Sequence, residues 1–392
     1  MDDFAPRMGR RYASGRNYDH GAGRHKAVSC LSPYVRRRVL TEEEVVRTAL
    51  RHHGLDRAEK FIQEVFWRGY FKGWLERRPG TWADYRRGLE QDLAAVDGDR
   101  RLRKRLDAAE AGATGLECFD AWVEELVETG YLHNHSRMWF ASIWVFTLGL
   151  PWRVGADFFF RHLLDGDPAS NTLSWRWVAG LHTRGKVYQA KAWNIAKFTN
   201  QRFQPRDADL ADAIEPLDRT EPEGLPPVRP IRPVSPPESG IPTALLITEE
   251  DCLLEAFAPH DLDICVSLTL AASHLRSDRT VPETVLRFEA EALADQAARL
   301  GLDPQAMEAR DPKDLIRCAQ SAGARQIATA FVPQGPLRDW LNDAQPLLDG
   351  AGIRLAEWHR PWDAAIWPHA TAGFFKVKKQ IPRILADLEV DE

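Results

Sequence analysis

The sequence predicts a multi-domain chain: an all-α first half, a proline-rich linker, and an α/β domain built on a parallel sheet. Three observations predict it. From Ser32 to about Gln204 prolines are sparse and apolar residues recur at three- and four-residue spacing, the period of a buried helix face. Residues 221–242 then hold eight prolines, which lack an N–H donor and favour extended backbone. After them, short apolar runs alternate with amphipathic stretches, as strand–helix units do.

Each element follows from its own residues. Residues 1–28 are polar and rich in Gly and Arg, and are expected to be irregular. Thr41 followed by Glu44 reads as a capping box that opens a helix. Strands are expected at Ala244–Thr248, Asp263–Ala271, Gln326–Val332 and Ile353–Trp358. Helices are expected at Glu283–Leu300, Pro312–Gly323 and Leu337–Leu348. The domain boundaries drawn from this are 1–218, a linker at 219–241, and 242–392. No glycine-rich nucleotide fingerprint sits at any strand–helix turn.

Composition narrows the function classes. Residues 1–205 carry 33 Lys/Arg against 25 Asp/Glu, and the remainder 19 against 32. A basic half joined to an acidic half suits a polyanionic partner, and suits equally an arginine-rich solvated surface. Five cysteines without a C-x-x-C pair fit a reduced, cytoplasmic setting and offer no zinc or iron–sulfur site, so no metal is expected. No apolar stretch is long enough to span a membrane, and the N-terminus lacks the apolar core of a secretory signal. A monomer is expected.

Three constellations carry chemistry. Glu64, Trp67 and Arg68 share one helix face, which also describes an ordinary amphipathic helix with an i,i+4 pair. In Gly130–Met138, Asn134 and Arg137 share a face, while His133 and His135 point apart and make a poor metal pair. In Leu164–Trp177, Asp165, Asp167 and Asn171 surround a turn before a helix carrying Trp175 and Trp177.

In this order, and with Ser29, Leu31 and Ser32 ahead of them, these motifs resemble the FAD-binding domain of DNA photolyases and cryptochromes over roughly residues 15–205. The resemblance implies that Tyr18, Ser29, Leu31, Arg68, Asn134, Arg137, Asp165, Asp167 and Asn171 hold FAD, with Arg137 paired to Asp165. It implies a cavity for a flipped pyrimidine dimer lined by Glu64, Trp67, Asn134, Met138 and Trp177, and an electron relay through Trp175 and Trp152 with Trp82 third. The cofactor supplies the difficult chemistry and the protein orients it. Desolvation in an aromatic cleft would raise the Glu64 pKa so that it donates a hydrogen bond to the dimer, while Trp67 and Trp177 stack on extruded bases. Arg36, Arg37, Arg38, Arg77 and Arg78 are candidates for phosphate contacts, or for a solvated arginine face.

Asn134 and Met138 stand where enzymes for the (6-4) lesion carry a His pair, which favours cyclobutane dimers. The expected activity is therefore light-driven repair of such dimers in DNA, single strands included, by a deoxyribodipyrimidine photolyase-type lyase. The alternative is a cryptochrome-like blue-light signalling photoreceptor that binds FAD without repair. Two departures stand out: Gly69 replaces the usual acid, and Tyr131 a common Trp. Residues 242–385 resemble the family's α/β antenna domain, placed second instead of first. The identity of a second, antenna chromophore is left open; Trp358, Trp362 and Trp367 suit either a pigment site or core packing.

Overall fold

The computed structural model describes residues 1–257 and 259–390. Helices follow one another through the first 198 residues: α1 (Arg10–Gly15), α2 (Ser32–Arg36), α3 (Glu42–Glu76), α4 (Gly80–Gly98), α5 (Arg100–Glu110), α6 (Glu117–Thr129), α7 (Asn134–Ser142), α8 (Trp152–His162), α9 (Pro168–Val178) and α10 (Ala192–Phe198). The capping box at α3 forms as expected: the Thr41 hydroxyl accepts the Glu44 N–H at 3.2 Å, and Glu44 accepts the Thr41 N–H at 2.8 Å. The N-terminal residues differ from expectation. They are not irregular: α1 forms, and Phe4, Met8 and Tyr12 are buried, Tyr12 lying edge-on to Phe61 at 5.0 Å. Counting polar residues missed the three apolar anchors at four-residue spacing.

After the proline-rich stretch come β1 (Pro242–Thr248), β2 (Asp263–Ala271), α11 (Glu283–Arg299), β3 (Gln305–Glu308), α12 (Pro312–Ser321), β4 (Gln326–Ala330), α13 (Pro336–Gly350) and β5 (Arg354–Trp358). The five strands form one sheet in the order β3-β2-β1-β4-β5, and every pair is parallel. Parallel strands are covered on both faces. Ala244 and Leu246 of β1 face a layer with Leu315, Ala319, Leu341 and Ala344 of α12 and α13. Leu245 and Ile247 face Ala292, Leu293 and Ala297 of α11. Strand β3 was not expected: its four residues are largely exposed at the sheet edge, where no apolar run is required.

The chain forms two compact units, and their boundary is not the contiguous one expected. One holds Met1–Leu31, Thr48–Glu64 and Arg78–Val228; the other holds Ser32–Arg47, Val65–Arg77 and Arg229–Glu392. Helix α3 thus gives its middle to the first unit and both its ends to the second.

Charge explains why Ser32–Arg47 belongs with the sheet. Glu249, Glu250 and Asp251 directly follow β1. Arg36 pairs with Glu250 at 2.7 Å, and Arg37 with Glu249 at 3.0 Å. Arg38 pairs with Asp363 at 2.7 Å, Glu42 at 3.3 Å and Asp251 at 3.4 Å. All three arginines are buried, as are the carboxylates. This corrects the expectation that Arg36, Arg37 and Arg38 contact DNA phosphates: their guanidiniums are already spent inside the second unit. Of the other two candidates, Arg78 is buried and Arg77 half-buried. The tryptophans of this unit settle into packing: Trp362 and Trp367 are core residues, and Trp358 stacks on Phe257 at 5.4 Å.

Two predictions follow from these buried charges. Arg37→Ala strands Glu249 among its remaining partners and should cost about 3–5 kcal/mol in urea unfolding. Glu76 is buried, and burial pushes its carboxyl up to about 7 against hydrogen bonding from the Gln334 N–H. A raised folded-state pKa favours folding below about pH 4.5, and that contribution is lost as pH rises through 7. Glu76→Gln should therefore be more stable than the natural chain at pH 8, by up to about 3 kcal/mol, with the difference vanishing near pH 4.

Candidate functional site

Within the first unit, two motifs thirty residues apart lock together. Gly130 closes α6 with φ of 66°, and a Cβ there would sit 2.6 Å from Leu164 Cγ. Only glycine suits both the left-handed turn and that approach. The Leu164 N–H donates to the Gly130 carbonyl at 2.8 Å, which binds the 163–167 turn to the end of α6. One turn into α7, Arg137 donates through Nε to the Leu132 carbonyl at 2.8 Å and through Nη2 to Asp165 Oδ2 at 2.9 Å. The expected Arg137–Asp165 pair is present, with Asp165 buried.

Helix capping fixes the neighbouring groups. The His133 ring caps α7, its Nδ1 accepting the His135 N–H at 3.2 Å. Burial, with smaller effects from neighbouring charges, drives the His133 pKa down to about 3, which keeps the ring neutral and able to accept. His135 is spoken for at both nitrogens, by the Asn17 carbonyl at 3.0 Å and the Tyr188 hydroxyl at 3.1 Å. Asp167 caps α9, accepting the Ser170 N–H at 2.7 Å. Asn171 is buried and donates through Nδ2 to the Ala156 carbonyl of α8 at 2.8 Å, leaving its amide oxygen for other donors. Asn134 is exposed at the start of α7, and Met138, four residues on, is half-buried on the same side.

The loop after α1 joins this group. Tyr18 is half-buried, edge-on to Phe198 at 5.1 Å, and the Ser29 hydroxyl accepts the Leu31 N–H at 3.4 Å. Between them, Cys30 takes a left-handed φ of 53° and hydrogen-bonds the Tyr131 side chain. That contact gives Tyr131 its role where the resemblance leads one to expect Trp.

Other expected residues sit differently. Glu64 is paired with Arg16 and is 34% exposed. Its partner lies in a segment read as irregular. Trp67 and Arg68 belong to the second unit. There Trp67 stacks on Phe374 at 4.0 Å, so one of its two faces is covered, and Arg68 lies 3.8 Å from Glu42. Gly69, the other departure, lets Ile366 approach: a Cβ would meet its Cδ1 at 3.0 Å.

The tryptophans of the first unit are mostly interior. Trp175 is buried against Phe159 at 5.1 Å and Trp144 at 6.2 Å, and Trp177 is half-buried beside Tyr188 at 5.6 Å. Trp152 lies 6.0 Å from Tyr85, which lies 5.3 Å from Trp82. Trp82 is only 2% exposed, so it gives the series no end at the surface, and Tyr85 stands between it and Trp152.

Comparison with known proteins sets this arrangement in context. Residues 61–209 match the model of the FAD binding domain of DNA photolyase. A deoxyribodipyrimidine photo-lyase of Streptomyces griseus is 37% identical over 158 residues, 40% of this chain and 33% of that protein. A chloroplastic/mitochondrial cryptochrome DASH of Ostreococcus tauri is 34% identical over 178 residues, 44% of this chain and 29% of that protein. The chain thus spans about a third of the length of the curated relatives it matches. A bacterial class III photolyase structure from Agrobacterium tumefaciens aligns with a TM-score of 0.40 at 26% identity, over 51% of this chain and 41% of that one.

Gly130→Ala should cost about 1–3 kcal/mol from backbone strain alone, and more once Leu164 is displaced. Chemical denaturation checks the cost. Protease nicking should appear first in the 163–167 turn, which loses its anchor.

Proposed function

This chain belongs to the photolyase/cryptochrome family, and from that premise we propose that its first unit holds FAD and that the chain repairs cyclobutane pyrimidine dimers by light-driven electron transfer. The observation that carries this reading is the joining of Gly130–Met138 to Leu164–Trp177 through the Arg137–Asp165 pair and the Leu164–Gly130 hydrogen bond.

The donor set suits the cofactor. A guanidinium, two carboxylates and two amides gather at the starts of α7 and α9, where helix N-termini favour anionic and electron-rich groups. Arg137, oriented by Asp165 and the Leu132 carbonyl, and Asn171, oriented by the Ala156 carbonyl, would face a ring with alternating donors and acceptors. Tyr18, Ser29 and the Leu31 backbone would take the phosphates. When bound, reduced FAD supplies an excited electron to the dimer and recovers it after the cyclobutane ring opens.

The protein's own part is positioning. Asn134 and Met138 present an amide and a thioether on an accessible face of α7, and Trp177 offers an indole for base stacking. Glu64, held by Arg16, would offer the dimer a carboxyl group. With Arg36, Arg37 and Arg38 buried, the exposed residues Arg100, Arg101, Lys104 and Arg105 on α5 offer phosphates an alternative basic run. Single-stranded substrate fits a chain whose expected phosphate grip is largely interior.

The test begins with colour. Purified protein should show flavin absorbance, and blue illumination with a thymine-dimer oligonucleotide should restore unmodified thymines. A flavin-loaded protein that leaves the dimer intact would instead support cryptochrome-like signalling. Colourless protein that takes up no added FAD would sink both readings.

Arg137→Ala should weaken FAD retention by about tenfold or more, since it also leaves the buried Asp165 without this partner. Arg137→Lys should recover only part of it, because an ammonium lacks the planar fork. Flavin release on gel filtration measures both.

A further inference from the structure

We propose that Asp19, His25 and Glu125 form a binding site for a divalent transition-metal cation of the zinc type. Each offers one ligand atom, and the three atoms lie within 4.8 Å of one another inside the first unit. Their side chains are 0%, 4% and 6% exposed. An imidazole with two carboxylates is a borderline donor set that suits zinc and its neighbours over magnesium or calcium.

A single ion would take one ring nitrogen of His25, and the two nitrogens face different carboxylates. His25 Nε2 lies 3.3 Å from Glu125 Oε1, and Nδ1 lies 4.0 Å from Asp19 Oδ1. Charge-assisted hydrogen bonds from an imidazolium close to about 2.7–2.9 Å. Ligands of a tetrahedral zinc at about 2.0–2.1 Å stand roughly 3.4 Å apart, so an ion would draw in ligand atoms that now lie up to 4.8 Å apart and would replace the His25–Glu125 hydrogen bond. Nδ1 is buried with no hydrogen-bond partner among the described residues, an uncommon loss for an interior imidazole.

Asp19 is already oriented as a ligand. Its Oδ2 accepts from Trp122 Nε1 at 3.1 Å, Ser136 Oγ at 2.9 Å and Arg202 Nη2 at 2.5 Å, while Oδ1 accepts the Gly21 N–H at 2.8 Å and lies 4.0 Å from His25 Nδ1. Such outer contacts fix a ligating carboxylate and keep one oxygen aimed. Burial would raise its pKa, but Arg202 and the hydrogen bonds from Gly21 and Ser136 hold the carboxyl below the usual range. The exposed residues Ala22, Gly23 and Arg24, next to His25, give the ion a short way in. A cation here would pin the loop that carries Ser29 to α6.

Purified full-length chain is incubated with Zn²⁺ at pH 7.5, desalted, and assayed for metal by elemental analysis and for affinity by competition with a chromogenic chelator. One zinc per chain is expected, with affinity lowered about tenfold or more by His25→Ala and by Glu125→Gln. His260→Ala, at a His 77% exposed, should change nothing. Zinc should also raise the melting temperature of the natural chain but not of Glu125→Gln, whose amide preserves the size of the side chain. A natural chain that retains no more zinc than His25→Ala would overturn the proposal, as would undiminished binding by a folded Glu125→Gln.

Discussion

Three guanidiniums that cannot give up their charge, buried beside three carboxylates at the end of one strand, constrain the rest of the structure. A buried carboxyl can escape its cost by taking a proton, but an arginine cannot. Arg36, Arg37 and Arg38 therefore have to be met by fixed acids, and Glu249, Glu250 and Asp251 meet them, with Arg276 and Arg360 completing the network at 3.2 Å and 2.5 Å. The acids fall at the carboxyl end of the central strand, the edge where open α/β sheets commonly take ligands. Here the chain's own N-terminal arginines fill part of that edge. Burial and the adjacent Glu249 push Glu289 up to about 7, so this acid takes a proton more readily than an ordinary carboxylate.

That constraint also explains what the sequence does and does not disclose. The strands β1, β2, β4 and β5 were legible because a parallel sheet covered on both faces needs continuous apolar runs, and these are local. The division into units was not. It depends on ion pairs between residues 213 positions apart in sequence, and a run of arginines looks the same whether it faces phosphates or buried glutamates. The same holds at the site. Asp165 and Arg137 were legible because each sits in a spaced motif. Arg16, which claims Glu64, lies in a segment whose composition concealed a helix. Asp19, His25 and Glu125 leave no spacing signature, since a loop and a helix a hundred residues on supply the ligands.

The departures from the family pattern are packing consequences. Gly69 gives way to Ile366, and Tyr131 trades an indole for a hydroxyl that reaches Cys30. Neither residue is isolated from its surroundings: each exchange matches a neighbour that this chain supplies. A substitution judged alone would read as loss of a functional group. Judged with its partner, it reads as a local refitting that leaves the Arg137–Asp165 pair in place.

The stretch read as a linker enters the electrostatics around Trp152. Arg153 and Arg176 lie over the Trp152 ring, 5.0 Å and 5.9 Å from its centroid. Two cations against an indole favour its neutral form and oppose a positive hole there, by the same attraction that stabilises cation–π pairs. Glu221 offsets them: it accepts from Arg176 at 2.6 Å and 2.8 Å and lies 3.5 Å from Arg153, which also contacts Asp92 at 3.3 Å. The charge around the Trp152 ring is thus balanced by carboxylates from the proline-rich stretch and from α4. Glu221 therefore joins the first unit as a residue that balances its interior charge, and the functional boundary of that unit runs past the last helix.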